Sequence, residues 1–220
     1  LFTFFRIGAY VKNMKKIGIF PLGIVLFPGS SYPLYIFEDR YKKLIKECWD
    51  NQQLFGINLI TPKKMYDVGC TAFVSDIMDV KENGNLDVII SGKQRFKITK
   101  IYDGEKPYLM ADIEHYEDSE TSIDHNLLEK TLNLYNEIAN KAKNFKIKPI
   151  DIDNISYPQP SFQIALKSGL TLEERQSLLE LQSENHRLEH LLHHLNIILP
   201  LIERVEGLEI LSRNDGYLNL

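Results

Sequence analysis

The sequence predicts an α+β fold, in which a small closed or nearly closed β-barrel with one inserted helix is followed by a helical region. Before Tyr116, apolar residues mostly alternate or form short runs bounded by Gly, Pro and Asn, which is typical of strands. After Tyr116 they recur at helical spacing. The charge changes at the same place: residues 1–116 contain 16 Lys and Arg against 13 Asp and Glu, whereas residues 117–220 contain 10 against 17.

The predicted strands of the β-rich part are short. Residues 17–27 are expected to form a strand pair or a bent strand broken at residues 21–23 (PLG), and residues 28–31 (PGSS) indicate a turn. Further strands are predicted at 54–60, 71–80, 86–91, around 96–98 and at 108–116, with a hairpin turn at 82–85.

One helix is predicted inside the β-rich part. It carries a single apolar stripe at the spacing i, i+4, i+7, i+8 and i+11, formed by Phe37, Tyr41, Leu44, Ile45 and Cys48. We expect all five side chains to pack inward.

The helical part begins with a long helix that is predicted from Leu128 to near Phe145. A connection over 148–160 follows, and Ser161 is expected to cap a short helix that ends before Gly169.

The last two predicted helices have clear start signals. Thr171 and Glu174 form a capping box, and Ser183 is expected to cap the final helix. Pro200 lies within that helix and predicts a kink or a break, because proline removes one main-chain hydrogen bond.

The composition is that of a folded protein without cross-links. Of 220 residues, 44% are hydrophobic and 25% charged, and the net charge is −4, which excludes disordered, collagen-like and disulfide-rich classes. Cys48 and Cys70 are too few for a four-cysteine zinc site and lack redox spacing, so they indicate a reducing compartment, the cytoplasm. No apolar run reaches 18 residues, so no membrane span is predicted.

The predicted organisation has four parts. Residues 1–13 precede Met14 and lack a signal-peptide cleavage site, so we interpret them as a non-native extension from an alternative start or gene model. A β-rich subdomain is then predicted over 14–117, a helical subdomain over 118–212 and a tail over 213–220.

Two motifs carry a family resemblance. Residues 20–29 (FPLGIVLFPG) and 33–41 (PLYIFEDRY) closely resemble the opening of the LON substrate-binding domain, the N-terminal domain of ATP-dependent Lon proteases. Later segments agree in order, and the resemblance covers roughly residues 17–206. These segments are 68–71 (VGCT), 92–96 (GKQRF), 108–113, 178–180 (LLE) and 187–188 (RL).

The resemblance implies a PUA-like β pseudobarrel followed by a C-terminal α-helical bundle, and a role in binding polypeptides or partner proteins. The motif residues themselves are predicted to be architectural, because turn formers and apolar side chains dominate and no reactive group stands among them. They are Pro21, Phe27, Pro28, Gly29, Pro33, Phe37, Glu38, Arg40, Tyr41, Gly69, Gly92, Arg95 and Phe96.

No catalytic machinery is predicted. A Lon protease needs a phosphate-binding G-x-x-x-x-G-K-[ST] loop and a Ser/Lys dyad domain. Gly92 and Lys93 lack the upstream glycine and the following Ser or Thr. We therefore expect a free-standing, non-enzymatic LON domain without a cofactor, for which a protease label would be inherited from the family only.

A histidine stripe and a basic strand suggest two alternatives. His186, His190 and His194 are spaced i, i+4, i+8, which can chelate a metal, but we interpret them as a solvated face and predict no metal site. Lys93, Arg95 and Lys97 are expected to share one strand face, which leaves an RNA-binding PUA-like protein as the alternative function. Acidic residues in the preceding hairpin make nucleic acid the less favoured partner; they are Asp76, Asp79, Glu82 and Asp87.

The favoured interpretation is a cytoplasmic module that binds unfolded polypeptide or a partner protein and is accessory to ATP-dependent proteolysis. Candidate binding residues are Tyr32 and Tyr35, which lie beside the Pro-rich turn, although core packing is the alternative for each. The sequence leaves the oligomeric state open.

Overall fold

The structure is a computed structural model that describes residues 16–120, 122–142, 147–151 and 159–215, with side chains up to Val205. The chain divides into two compact units, Leu1–Glu117 and Asp118–Leu220. The predicted N-terminal extension and the end of the predicted tail lie outside the described residues.

The described residues of the first unit, 16–117, form six strands and one helix. In chain order they are β1 (Lys16–Leu22), β2 (Ser31–Ile36), α1 (Asp39–Asp50), β3 (Phe55–Ile60), β4 (Met65–Val80), β5 (Leu86–Tyr102) and β6 (Leu109–His115).

In the second unit, the part of the chain that the structure describes forms four helices, which are α2 (His125–Lys141), α3 (Pro160–Ala165), α4 (Leu172–Glu180) and α5 (Glu184–Asp215). A mixed sheet followed by helices confirms the predicted α+β class. Among the described helices, none is both long and apolar enough to cross a membrane.

The strands form one mixed sheet in the order β2-β5-β4-β3-β1-β6, in which β6 also pairs with β5. Five strands therefore form a closed ring of pairings, in which β5 pairs with β4, β4 with β3, β3 with β1, β1 with β6 and β6 again with β5. Only β1 and β3 are parallel, and the other pairs are antiparallel. β2 pairs with β5 alone and lies at the end of the strand order.

The two longest strands, β4 and β5, change pairing partners along their length. The first part of β4 pairs with β3, and the second part of β5 pairs with β6. The remaining half of β4, residues 73–80, pairs with the remaining half of β5, residues 86–91, which also pairs with β2. We call residues 73–80, residues 86–91 and β2 together the arm.

The core of the first unit lies between the sheet and α1. Tyr41, Leu44, Ile45 and Cys48 are buried as predicted, and the Tyr41 ring stacks on Phe20 with 3.9 Å between ring centroids. Cys48 and Cys70 are buried free thiols, and burial raises the pKa of each to about 12.

Of the strand pair or bent strand predicted over 17–27, only the first arm is present, and the predicted second arm over 24–27 is wrong. A single strand ends at Leu22, and Pro21 lies inside it, paired with Asn58 of β3. β6 pairs with β1 only as far as Ile19, so the missing N–H of Pro21 removes no hydrogen bond on that side.

The separate strands predicted at 86–91 and around 96–98 are one strand. Gly92 lies within β5, where a Cβ would be 2.3 Å from the Phe27 carbonyl oxygen. The Gly92 N–H donates to the Ser30 carbonyl at 2.8 Å. This glycine therefore permits a close crossing of two chain segments and does not form a turn.

Phe37 is not part of the helix, contrary to the predicted stripe. α1 begins at Asp39 with Glu38 as its N-cap, and the Phe37 side chain before it is 61% exposed. The i, i+4 spacing to Tyr41 therefore occurs across a helix boundary, where it does not place two residues on one face.

Start signals in the second unit are partly confirmed. The capping box of Thr171 and Glu174 is present, and the His186 N–H donates to Ser183 Oγ at 3.4 Å. Ser161 is not a cap: it is a buried residue within α3, which starts with Pro160 after Gln159.

The predicted helix ends differ from the structure. α2 ends at Lys141, with Asp124 as its N-cap, and Phe145 lies outside the described residues. Of the kink or break predicted at Pro200, the break is wrong, because α5 is continuous through this residue.

Candidate functional site

β2 has one edge without a strand partner among the described residues. Its register places Tyr32 opposite Ile90, Leu34 opposite Val88 and Tyr35 opposite Asp87. Pro33 cannot donate a hydrogen bond to β5, so its nitrogen lies on the unpartnered edge.

The two predicted binding residues lie on opposite faces of β2. Tyr32 shares a face with Leu34 and Ile36, which pack on the core, yet Tyr32 is 41% exposed. Tyr35 is on the other face and is 54% exposed. Because side chains alternate along a strand, residues three apart cannot share a face, so the structure does not bring this pair together.

Phe37 is the partner of Tyr35 that the sequence interpretation missed. The two rings stack with 6.2 Å between centroids at an interplanar angle of 30°. The Asn85 side-chain amide donates to the Tyr35 hydroxyl at 2.6 Å and orients the ring. The signal was present in the sequence, because Phe37 follows Tyr35 at the i, i+2 spacing that places two side chains on one face of an extended chain.

The side of the arm that carries Tyr35 is its outer face, since the opposite side packs on the core. Asp87 and Asp79 lie in one cross-strand row with Tyr35. Lys81 Nζ lies 2.6 Å from Asp79 and 3.0 Å from Asp87. The hydrogen bond from Lys81 holds the pKa of Asp79 below its usual value, and the two carboxylates raise the pKa of Lys81.

The second row of the outer face joins Pro33 of β2 to Ile89 of β5 and Asp76 of β4. Ile89 is half-buried and Asp76 is exposed. The outer face thus places apolar side chains next to carboxylates.

The motif residues around the first turn are close to the sheet. Ser30 Oγ donates to the Phe27 carbonyl at 2.6 Å and accepts from the Phe27 N–H at 3.2 Å. Gly29 has φ +78°, a conformation that favours glycine, and its N–H donates to the Gly92 carbonyl. Pro28 is buried.

The other motif residues have neighbours within the first unit. Glu38 and Arg40 form an exposed ion pair at 2.6 Å. A Cβ on Gly69 would be 2.4 Å from the Ile57 carbonyl oxygen. Phe96 is buried with Ile17 and Ile19.

The predicted basic strand face is not formed. Arg95 is only 4% exposed, and its guanidinium carbon lies 5.3 Å from the centre of the Tyr116 ring. Burial also lowers the pKa of Lys93, whereas Lys97 is exposed. A buried arginine cannot contribute to a phosphate-binding surface, so these three residues do not make a basic patch.

The histidines are less solvated than predicted. His186 is exposed, but His190 and His194 are half-buried. His194 Nε2 is 2.7 Å from the Ser168 carbonyl and is therefore its donor, and His194 Nδ1 lies 3.9 Å from Glu174. In the described part of the chain, no group of three or more His, Cys, Asp or Glu residues could hold a metal ion.

A buried ion network in the second unit was also missed by the sequence interpretation. Arg187 is fully buried and donates to Asp118 at 2.7 Å and 2.5 Å, to Glu184 and to the Leu181 carbonyl. Ser161 donates its N–H and its hydroxyl to the same Glu184 carboxylate.

The first unit has a mixed sheet and the second unit is helical, and comparison with known families assigns the family of the chain. The model of the ATP-dependent protease La (LON) substrate-binding domain matches residues 16–197. The chain belongs to this family, as the resemblance of its motifs predicts.

The curated relatives are longer proteins. The Lon protease of Buchnera aphidicola subsp. Baizongia pistaciae is 28% identical over 231 residues, which cover 93% of this chain and 28% of the relative. The Lon protease of Flavobacterium johnsoniae is 28% identical over 216 residues, which cover 90% of this chain and 26% of the relative. The chain thus spans little more than a quarter of the length of these relatives.

Two solved structures share the fold. A Lon N-terminal domain protein from Xanthomonas campestris has a TM-score of 0.63 at 23% identity, covering 81% of this chain and 97% of that one. The N-terminal domain of a Mycobacterium avium complex Lon protease has a TM-score of 0.65 at 16% identity, covering 83% and 98%.

Proposed function

We propose that this chain is a non-enzymatic recognition module that binds exposed segments of polypeptide substrates or partner proteins and is accessory to ATP-dependent proteolysis. Membership of the LON substrate-binding family supports substrate recognition. The proposed binding surface is placed at β2 because the exposed Tyr35–Phe37 pair lies next to the unpartnered edge of this strand.

We also infer that the ring of strand pairings corresponds to a PUA-like pseudobarrel and that α2 to α5 correspond to the C-terminal helical bundle of the family. The subdomain limits 14–117 and 118–212 belong to the same proposal. The strand pairings and the division of the chain after Glu117 support it.

Binding would bury the exposed parts of the two rings against apolar side chains of an unfolded segment. Removing about 100 Å² of apolar surface per ring from water contributes roughly 2–3 kcal/mol. Ordering the unfolded segment offsets much of this gain. The expected result is weak binding that tolerates many sequences.

Pro33 favours recognition through side chains over strand addition. A peptide that added a strand to β2 would find main-chain donors at residues 31 and 35 but none at Pro33. Tyr35 and Phe37 offer aromatic surface that does not depend on those donors.

Two other functions are less well supported. An RNA-binding role would need a basic surface, and the burial of Arg95 removes the centre of the predicted one. Peptidase or ATPase activity would need the phosphate-binding loop and the Ser/Lys dyad domain, of which the sequence contains no recognisable part.

The test is binding of a fluorescent, permanently unfolded polypeptide, followed by anisotropy. We expect a dissociation constant in the high micromolar range, and the double variant Tyr35→Ser/Phe37→Ser should weaken binding by at least about tenfold. The matched control is Ile101→Ser, because Ile101 is 45% exposed on β5 away from the arm. Absence of binding by the wild type, or equal losses in both variants, would contradict the proposal.

A further inference from the structure

The outer face of the arm combines exposed aromatic surface with a local excess of negative charge. Four carboxylates lie on this face or at the hairpin turn, against one ammonium group, Lys81. They belong to Asp76, Asp79, Glu82 and Asp87. The excess is local, because residues 1–116 as a whole contain more Lys and Arg than Asp and Glu.

Part of this charge is already neutralised within the arm. Lys81 is held between Asp79 and Asp87. Asp76 and Glu82 are exposed and form no ion pair among the described residues. These two carboxylates are available to cations of a bound partner.

The geometry sets the spacing that a partner would need. Asp76 lies two strands away from Pro33 in the same row, a separation of about 10 Å at the usual distance between strands. An extended chain covers that distance in about three residues. A segment with an apolar residue over Pro33 and Tyr35 would therefore place a residue three positions away near Asp76.

We propose that the outer face of the arm selects extended polypeptide segments in which aromatic or aliphatic residues are flanked, at about three residues, by Lys or Arg. This specificity rests on the proposed polypeptide-binding function and refines it. Apolar contact with Tyr35, Phe37 and Pro33 supplies the common part of the affinity. Asp76 and Glu82 supply the preference for cationic flanks.

The first experiment measures three labelled peptides that share one apolar centre and differ only in their flanks, which are Lys, Gln or Asp. The Lys-flanked peptide should bind about tenfold more tightly than the Asp-flanked peptide at low ionic strength. The difference should fall to about twofold at roughly 0.5 M salt, where exposed charges are screened. The Gln-flanked peptide should lie between them.

The second experiment locates the effect with Asp76→Asn/Glu82→Gln. This variant should lose the preference for Lys flanks and keep its affinity for the Gln-flanked peptide. The matched control is Asp67→Asn/Asp103→Asn, which removes the same charge from exposed positions outside the arm and should behave as the wild type does.

The outcomes separate the two proposals. If all three peptides bind equally, or if the control variant loses the preference as well, the charge specificity is wrong while polypeptide binding stands. If none of the peptides binds, the proposed function itself fails. Displacement of the Lys-flanked peptide by single-stranded RNA at equal concentration would also overturn the specificity.

Discussion

Arg187 shows how one buried side chain can organise several chain segments. Its guanidinium donates to Asp118, Glu184 and the Leu181 carbonyl, and Glu184 in turn accepts from Ser161. A buried cation is stable only when its partners are satisfied. The residue therefore has a structural role within the second unit.

Substituting Arg187→Met should lower the free energy of unfolding by about 3–5 kcal/mol, because Asp118 and Glu184 would be left without their counter-ion. The measurement is urea denaturation followed by far-UV circular dichroism. Arg40→Met is the matched control, since Arg40 forms an exposed ion pair, and it should cost less than about 1 kcal/mol. Similar losses in the two variants would contradict the role assigned to Arg187.

The aromatic residues in and next to β2 show that the role of a side chain depends on its position in the fold. Tyr32 and Tyr35 are similar residues three positions apart, but the strand places them on opposite faces. Phe37 lies outside α1 and stacks on Tyr35. Which aromatic residues form a surface is thus decided by the element that contains them.

The start of α4 is an element whose stability depends on pH. The Thr171 N–H donates to Glu174 at 2.8 Å, and the Glu174 N–H donates to Thr171 Oγ1 at 3.2 Å. The hydrogen bond from Thr171 holds the pKa of the Glu174 carboxyl below its usual value, and His194 adds to the effect. A folded pKa below the unfolded one stabilises the protein above the ordinary pKa of Glu, and this contribution is lost as the pH falls below it.

Thr171→Ala should therefore destabilise the protein by about 1 kcal/mol at pH 7. Glu174→Gln should flatten the loss of stability between about pH 5 and pH 3, since an amide does not titrate in that range. The measurement is the thermal midpoint as a function of pH. Glu173→Gln, in the same helical turn, is the control, and the idea fails if it flattens the profile as strongly as Glu174→Gln does.

The chain as a whole combines a β-rich unit that carries the candidate surface with a helical unit that has its own buried network. Its curated relatives are Lon proteases, and the chain spans little more than a quarter of their length. The functional proposal accordingly concerns recognition.

The whole chain is therefore expected to hydrolyse neither a fluorogenic unfolded protein nor ATP. The measurement is fluorescence release and phosphate release over hours, with a Lon protease as the positive control. The double variant Tyr35→Ser/Phe37→Ser should likewise leave the rates of fluorescence release and phosphate release at the level of buffer alone. Peptidase or ATPase activity that copurifies with the chain would show that the proposal is wrong.

The family, the α+β class and several local signals were predictable from the sequence. The capping box of α4 and the stripe of α1 from Tyr41 to Cys48 depend on residues within a few positions of each other. Such signals are local, so composition and spacing determine them. The family motif is equally legible, because its turn-forming and apolar residues occur in one contiguous run.

Tertiary structure decided what depends on distant partners. The continuity of β5 through Gly92, the burial of Arg95 and Arg187, and the exposure of Phe37 follow from segments that are far apart in the chain. The sequence by itself determined the α+β class, local signals such as the capping box of α4, and the family. Only the tertiary structure decided which aromatic and acidic side chains share a face, because strand register and burial arise from long-range packing.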